Sequence, residues 1–404
     1  MKRLVLKFGG TSVGTIEKIK KVANIVQKRH NEGNNIIVVV SAMSGVTNDL
    51  LKKSQSISNN FNSEELDTLL SSGEQASSAL LSGAIIDLGL KARSWLGWQI
   101  PIITNDNYTS SQIIKIKTKE ILDFISDKGI AVIAGFQGIS VNNRITTLGR
   151  GGSDLSAVAI AKFFKTDSCE IYTDVEGVLT TDPSINEKAK KIEKISYEEM
   201  LEMASLGAKV MQPNAVQAAM IDNILINVRS TFSENSGTKI ISESEIDYKN
   251  VVTGIAYSKG NAKVSIVGVV DKPGVAAEVF EPIGKNNINV DMVIQNTSLD
   301  GKNANITFTI KREDLSKTLS IIEKNKQKLN YNKVTHDDKL AKVSIIGAGM
   351  ISESGVTHKM FRSLADEEIN ILAISTSEIK ISVLVQEDLT QKAVKALHKT
   401  FELN

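Results

Sequence analysis

The sequence predicts an α/β fold, a mostly parallel sheet sandwiched by helices, followed by two copies of a smaller α+β module. Up to about residue 245, short apolar runs rich in β-branched residues alternate with longer segments of helical periodicity. The glycine-rich turns of that region fall where strands end, and ligands of such sheets bind at the carboxyl ends of strands. The last third then repeats itself with a period of about eighty residues, too long for a solenoid and suited to two copies of one small module.

The first run, "RLVLKF" (3–8), is a strand that ends beside Lys7 and leads at once into "GGTSVG". A helix follows over "TIEKIKKVANIVQKRHNEG" (15–33), with Ile16, Ile19, Val22, Ala23 and Val26 on one face and Thr11 or Ser12 as its cap. "NIIVVVSA" (35–42) is the next strand, and "SSGEQASSALLSGAI" (71–85) reads as a helix start with Glu74 in its first turn. Further strands are "GIAVIAGF" (129–136) and "CEIYTD" (169–174), with "LGRGGSD" (148–154) opening the helix "LSAVAIAKFF" between them. The polar stretch "STFSENSGTKIISESEIDYKN" (230–250) is the best boundary. Beyond it, "KVSIVGVVDKPGV" (263–275) parallels "KVSIIGAGMISESGV" (342–356), "NNINVDMV" (286–293) parallels "EEINILAI" (367–374), and "NITFTI" (305–310) parallels "IKISVLV" (379–385). Each copy reads strand, turn, helix, strand, strand, helix. The expected domains are therefore 1–245, 262–336 and 340–404.

Composition narrows the function. The 404 residues carry 48 basic and 46 acidic side chains, a net charge of +2, which argues against nucleic acid or an anionic membrane as the main partner. One cysteine, Cys169, leaves no internal disulfide and no cysteine-based zinc site, as expected in a reducing cytosol. The N-terminal apolar run is broken by Lys7 and cannot be a secretory signal, and "IIVVV" (36–40) is far too short to span a membrane, so a cytoplasmic protein is expected.

Two segments point to anion chemistry. Bare backbone N–H groups at Gly9 and Gly10 form an anion site, and Lys7 beside them strengthens it, although the spacing is not that of a Walker A loop. In "GRGGSD", Arg150 stands alone among glycines, where packing asks for no arginine; its guanidinium suits a carboxylate or phosphate. Asp154 also has a simpler explanation, since a carboxylate in the first turn is stabilised by the helix dipole. "IIGAGMIS" (345–352) lacks the third glycine of a dinucleotide fingerprint and is read as a module turn. The four histidines, His30, His336, His358 and His398, lie outside the glycine-rich segments, so no Ser-His-Asp triad is indicated.

Taken in order, "KFGGTSV", "VVVSAMSGVTN" (38–48), "SSGEQ" (71–75), "GFQG" (135–138), "GRGGSD" (149–154), "YTDVEGV" (172–178) and "GAKVMQP" (207–213) resemble aspartate kinase across the whole chain. "DKPGVAAEVF", "INVDMVIQN" and "ISTSEIKISVLV" resemble that family's tandem ACT regulatory domains. The resemblance implies an amino-acid-kinase fold with two ferredoxin-like ACT domains, and ATP- and Mg2+-dependent phosphorylation of L-aspartate to 4-phospho-L-aspartate, the entry to lysine, diaminopimelate, threonine and methionine synthesis. It implies Lys7 on the transferring phosphoryl group with Asp154 holding it, and Arg150 on a substrate carboxylate. Glu74 would take the ammonium, with Ser41, Thr47, Phe136, Gly151, Gly152 and Ser153 around the substrate. Phe8, Gly9, Gly10, Thr173, Asp174, Leu179, Ser184, Lys209 and Val210 would meet the nucleotide. No metal ligand is assigned. Leu179 and Ser184 replace an aromatic and a cation common in the family. Asp271, Gly274, Asn289, Val290, Asp291 and Gln295 would meet an effector, lysine or threonine or both, in a homodimer paired through its ACT domains. The alternative is a non-catalytic amino-acid sensor with a kinase-like domain; retention of Lys7, Arg150 and Asp154 together argues against it.

Overall fold

The computed structural model describes residues 2–208, 210–248, 250–297, 303–351 and 353–403. Two compact units result: Met1–Thr180 with Lys190–Tyr248, and Thr181–Ala189 with Lys249–Asn404. Among the described residues, no helix is long and apolar enough to cross a membrane.

The strands of the first unit are β1 (Arg3–Phe8), β2 (Asn35–Val40), β3 (Ala92–Trp95), β4 (Ile102–Thr104), β5 (Ile113–Ile116), β6 (Ile130–Ala134), β7 (Gln137–Ser140), β8 (Ile145–Thr147), β9 (Ser168–Thr173), β10 (Lys194–Ser196), β11 (Ile226–Ser230) and β12 (Thr238–Ile241). Eight form one sheet in the order β10-β12-β11-β9-β1-β2-β6-β3, parallel at every step except β11–β12. A second sheet, β5-β4-β7-β8, stands apart. β1 is central and buried from Leu4 to Phe8, which is why its sequence is almost continuously apolar instead of alternating. Its neighbours β2 and β9 leave on opposite sides, so the strand order reverses at β1 and a crevice opens beyond its carboxyl end. Lys7 lies one residue short of that end, opposite Val39 and Ile171.

The helices are α1 (Ile16–Asn31), α2 (Val46–Ile57), α3 (Ser63–Asp87), α4 (Lys119–Ser126), α5 (Gly152–Phe163), α6 (Tyr197–Ser205) and α7 (Pro213–Asp222). In α1, Ile19, Val22, Ala23 and Val26 face the core as the periodicity predicts, while Ile16 is 48% exposed. Its cap is Thr15, which accepts from the Lys18 N–H, and not Thr11 or Ser12. The Ser12 hydroxyl is instead paired at 2.7 Å with that of Thr231, and the N–H groups of Ser12 and Val13 close a turn on the Gly9 carbonyl.

The expected start of a helix at 71–85 is corrected. α3 begins eight residues earlier, capped by Asn62, whose side chain accepts from the N–H groups of Glu64 and Glu65. Glu74 is therefore inside a 25-residue helix and caps nothing. Gly73 does not break the helix because it serves a close approach: a Cβ there would lie 2.8 Å from that of Ala42.

The second unit holds β13 (Gly254–Val270), β14 (Val293–Thr297), β15 (Asn303–Lys311), β16 (Lys333–Ile346), β17 (Ala373–Thr376) and β18 (Lys380–Gln386), with α8 (Val275–Lys285), α9 (Leu315–Lys324), α10 (Lys326–Leu329), α11 (Val356–Asp366) and α12 (Thr390–Thr400). One sheet runs β14-β15-β13-β16-β18-β17, antiparallel throughout. β13 and β16 are long enough to serve both copies of the repeat. The later half of β13 pairs with β15 in the first copy, and its earlier half, Gly254–Ser258, pairs with Lys342–Ile346 of the second. The second copy thus takes its last strand from chain that precedes the first, in a stretch that sequence alone assigned to no domain. Each copy has its own core, one around Phe308 and Ile283, the other around Val343 and Leu397. Ile185 is buried in the latter, which fixes the short segment Thr181–Ala189 in this unit. Burying such a side chain is worth about 1.5–3 kcal/mol. Within "IIGAGMIS", Ile345 and Ile346 end β16 and residues 347–351 turn away from it, Ser352 lying outside the described residues; a Cβ on Gly347 would lie 2.4 Å from the Val251 carbonyl, so packing alone accounts for that glycine.

Candidate active site

A cleft of about 630 Å3 opens at the carboxyl end of β1. Lys7, Gly10, Ser41, Thr47, Glu74, Phe136, Arg150, Gly151, Gly152, Ser153 and Asp154 all line it. The first turns of α2 and α5 contribute Gly45 and Thr47 on one side and Gly152 to Asp154 on the other. Unsatisfied N–H groups at two helix starts favour an anionic guest.

Lys7 and Asp154 meet at 2.5 Å, Nζ to Oδ1, with each side chain only one-tenth exposed. One charge comes from the strand end and the other from the first turn of α5. A buried ion pair of this kind is costly to desolvate, and removing either partner leaves a charge stranded at a cost of about 3–5 kcal/mol. Beside it the main chain of Gly10 packs closely on the segment that follows β2. A Cβ on Gly10 would approach the Ala42 carbonyl to 2.8 Å.

Glu74 is 3% exposed. Its Oε1 accepts from the Ala42 N–H at 2.9 Å, whereas Oε2 is buried without a partner. Burial raises the carboxyl to about 7, against the opposing pull of the Ala42 hydrogen bond. An ammonium group would complete this oxygen and restore the charged form. Arg150 is the complement: it is exposed, and no ion pair to it occurs among the described residues. Gly149 and Gly151 flank it at φ 72° and 71°, left-handed values that glycine takes freely. A Cβ on Gly151 would also fall 2.0 Å from Cγ of Gln212.

Phe136 holds φ 68°, a region costing a bulky residue about 1–3 kcal/mol. Its N–H donates to the Ser156 hydroxyl at 2.9 Å and its carbonyl accepts from Leu148 N–H at 2.9 Å, which pins the ring's backbone at the cleft wall.

Several predicted residues lie elsewhere. The Phe8 ring is fully buried and stacked on Tyr172 at 4.7 Å, so only its main chain faces the crevice end of β1. Gly9 donates its N–H to the Tyr172 carbonyl at 3.2 Å. Thr173, Asp174, Leu179 and Val210 belong to the first unit but do not line the cleft. Thr173 donates to the Asp174 carboxylate at 3.0 Å, and Leu179 bridges to Lys191. Ser184 belongs to the second unit, where its N–H and hydroxyl both donate to Asp182. Lys209 lies outside the described residues. In the second unit Asp271, Gly274, Asn289, Asp291 and Gln295 are exposed and Val290 is half-buried. Asp291 is already paired with the ammonium of Lys342.

Sequence reading missed Asp67, Thr109, Thr147 and Gln212. Thr109, Thr147 and Gln212 line the cleft. Asp67 is a wholly buried carboxylate in α3, its carboxyl raised by burial against hydrogen bonds from Thr147 and Thr109. Nothing in "SEELDTLL" sets Asp67 apart from its acidic neighbours Glu64 and Glu65 except its place on the α3 face that carries Leu70, Ser71 and Glu74.

Comparison with known proteins agrees with this geometry. Residues 2–230 match the amino acid kinase family, and residues 264–325 and 343–401 match the ACT domain. The chain is 45% identical to an aspartate kinase of Pseudomonas putida, over all of this chain and 98% of that one. The crystal structure of E. coli aspartokinase III with aspartate and ADP, in its R-state, superposes with a TM-score of 0.82 at 25% identity, covering 99% of this chain and 100% of the other. The T-state of the same E. coli enzyme, with lysine and aspartate, gives 0.78 at the same identity and coverage. With a family match over more than half its length and full-length similarity to an aspartate kinase, this chain belongs to the amino acid kinase family and, within it, to the aspartate kinases.

Proposed function

We propose that the chain transfers the γ-phosphoryl group of ATP to the side-chain carboxylate of L-aspartate, releasing ADP and 4-phospho-L-aspartate. The observation that carries this is the cleft's division of charge: the Lys7–Asp154 pair beside Gly10 and the uncapped start of α5 at one end, and an unspent guanidinium with a half-satisfied buried carboxylate at the other. An amino acid with two carboxylates needs that set.

The nucleophile is ionised at neutral pH, so the reaction needs no general base. A carboxylate oxygen bonds to the γ-phosphorus, the bond to the ADP oxygen breaks, and no proton moves. What remains is bringing an anion to a polyanion, which is positioning and charge neutralisation. Lys7 takes charge from the transferring group, with Asp154 fixing its ammonium. Gly10, on the cleft wall, leaves its main chain open to phosphate, whereas the Gly9 N–H is already spent on the Tyr172 carbonyl. Arg150 grips a substrate carboxylate in a two-pronged contact and Glu74 takes the ammonium, while Ser41, Thr47, Ser153 and the Phe136 ring bound the amino acid. Thr173, Asp174, Leu179, Lys209 and Val210 form the nucleotide side.

A magnesium ion fits the donor set. Among the described residues no three His, Cys, Asp or Glu side chains cluster as a protein-only cage, and Mg2+ prefers nucleotide phosphates with one or two carboxylates. Asp154 would be the carboxylate at hand, and the ion would supply neutralisation of phosphate charge.

The E. coli enzyme is described with lysine bound as well as with aspartate. We carry the regulatory ligand over to this chain: lysine, alone or in concert with threonine, inhibits through Asp271, Gly274, Asn289, Val290, Asp291 and Gln295, in a homodimer paired through its ACT domains. The test of the whole reading is ADP release with aspartate, glutamate or N-acetylglutamate as acceptor. Turnover with aspartate alone is expected. Turnover with none of the three would leave the non-catalytic sensor, and turnover with glutamate would reassign the substrate.

A further inference from the structure

Asp67 is a buried carboxylate that the proposed reaction does not use, and its surroundings say what it holds. Its side chain, fully buried in α3, gathers donors from two separate segments. The Thr109 N–H reaches both oxygens, at 3.1 and 2.9 Å. From β8 come the Thr147 N–H at 2.8 Å and the Thr147 hydroxyl at 2.6 Å. Three donors converge on one acceptor group. An amide in its place keeps an oxygen for the two backbone N–H groups but loses the charge that draws all three donors together.

Thr109 stands at φ 65°, a left-handed conformation that β-branched residues rarely adopt and that persists only where the surroundings over-determine it. The clamp extends to the substrate side. The Ser111 N–H donates to the Thr147 carbonyl at 2.9 Å. The Thr109 carbonyl lies 3.1 Å from where a Cβ on Gly149 would stand. Thr109, Thr147 and Gly149 all line the cleft, and Arg150 follows immediately. We propose that Asp67 is a positioning residue for the amino-acid substrate. By fixing Thr109 and Thr147 it holds the Gly149–Gly151 turn that carries the Arg150 guanidinium. Lys7, Gly9 and Gly10 hang from β1 and are untouched by the clamp, so nucleotide binding should not feel its loss. The inference rests on the reading of Arg150 as the carboxylate grip.

The test is calorimetric titration of L-aspartate and, separately, of ATP into Asp67→Asn, Thr147→Val and Arg150→Lys, each at a temperature where its melt shows a folded protein. Asp67→Asn should weaken aspartate by at least ~10-fold and ATP by less than ~2-fold. Thr147→Val, which removes only the hydroxyl that Asp67 holds, should shift aspartate alone by roughly 3-fold; it decides the matter if Asp67→Asn does not fold. Equal losses for both ligands, or none, overturn the positioning role. If Arg150→Lys leaves aspartate binding unchanged, the grip itself is misassigned, whereas a loss there with none in Asp67→Asn and Thr147→Val refutes the clamp alone.

Discussion

Carboxylates are used in opposite ways in the two units. In the first, Asp67, Glu74 and Asp154 are 0, 3 and 7% exposed, and each is tied to a backbone segment, a strand end or a cleft. In the second, Asp271 and Asp291 are exposed, and the pair that Asp291 makes is with a lysine, Lys342, that is itself only 7% exposed. The difference is one of stakes. A buried charge with an open valence, such as Glu74 Oε2, costs the fold stability until a ligand arrives, so its presence is informative. An exposed aspartate costs almost nothing, and its role can be read only from the response to an effector.

If that contrast is right, the largest effect belongs to the buried pair. Lys7→Ala should lower kcat at least ~100-fold with little change in the KM for aspartate. Because it also strands Asp154, the decisive variant is Lys7→Met with Asp154→Asn. Melting temperature should largely recover while turnover stays lost, since neutral replacement of both partners removes the desolvation cost. Recovery of both would make the pair purely structural.

Next in size, Arg150→Lys should raise the KM for aspartate by about 10-fold and that for ATP much less, a point charge being a poor substitute for a fork. Equal changes in the two constants would move Arg150 to the phosphate end. On the exposed side, Gln295→Ala should shift the midpoint of lysine inhibition several-fold, roughly the worth of one lost hydrogen bond. An identical inhibition curve would remove β14 from the effector site.

The smallest effect is a pH dependence. Glu74 has a carboxyl raised from 4.5 to about 7, so the empty protein gains stability from the protonated form. That contribution is full below about 4.5 and fades as pH climbs through 7. At most it amounts to on the order of 3 kcal/mol, at 1.36 kcal/mol per pH unit. An aspartate ammonium prefers the ionised form, so aspartate affinity should rise a few-fold between pH 6 and 8, with proton release that calorimetry in two buffers detects. Glu74→Gln should flatten both trends; a profile that stays pH-dependent in that variant would assign the titration to another group.

What the sequence disclosed depended on how local the cause was. β1 is legible because a strand buried on both faces must be an apolar run, and Lys7 stands out against it. Arg150 stands out for the same reason among glycines. Sequence places the start of α3 too late because its cap, Asn62, lies upstream of the "SSGEQ" segment, and Gly73 sits inside the helix against Ala42. Asp67 was invisible, since its partners Thr109 and Thr147 lie 42 and 80 residues away along the chain. The shared strands β13 and β16 were hidden too: a repeat in sequence does not say which copy owns a strand.

The central claim, that this cleft makes an acyl phosphate on aspartate, is tested most directly by trapping the product. With ATP, Mg2+, L-aspartate and hydroxylamine, the protein should yield aspartate hydroxamate in step with ADP, and the Lys7→Met/Asp154→Asn variant should yield neither. ADP release without hydroxamate, or at the same rate when aspartate is left out, would contradict it.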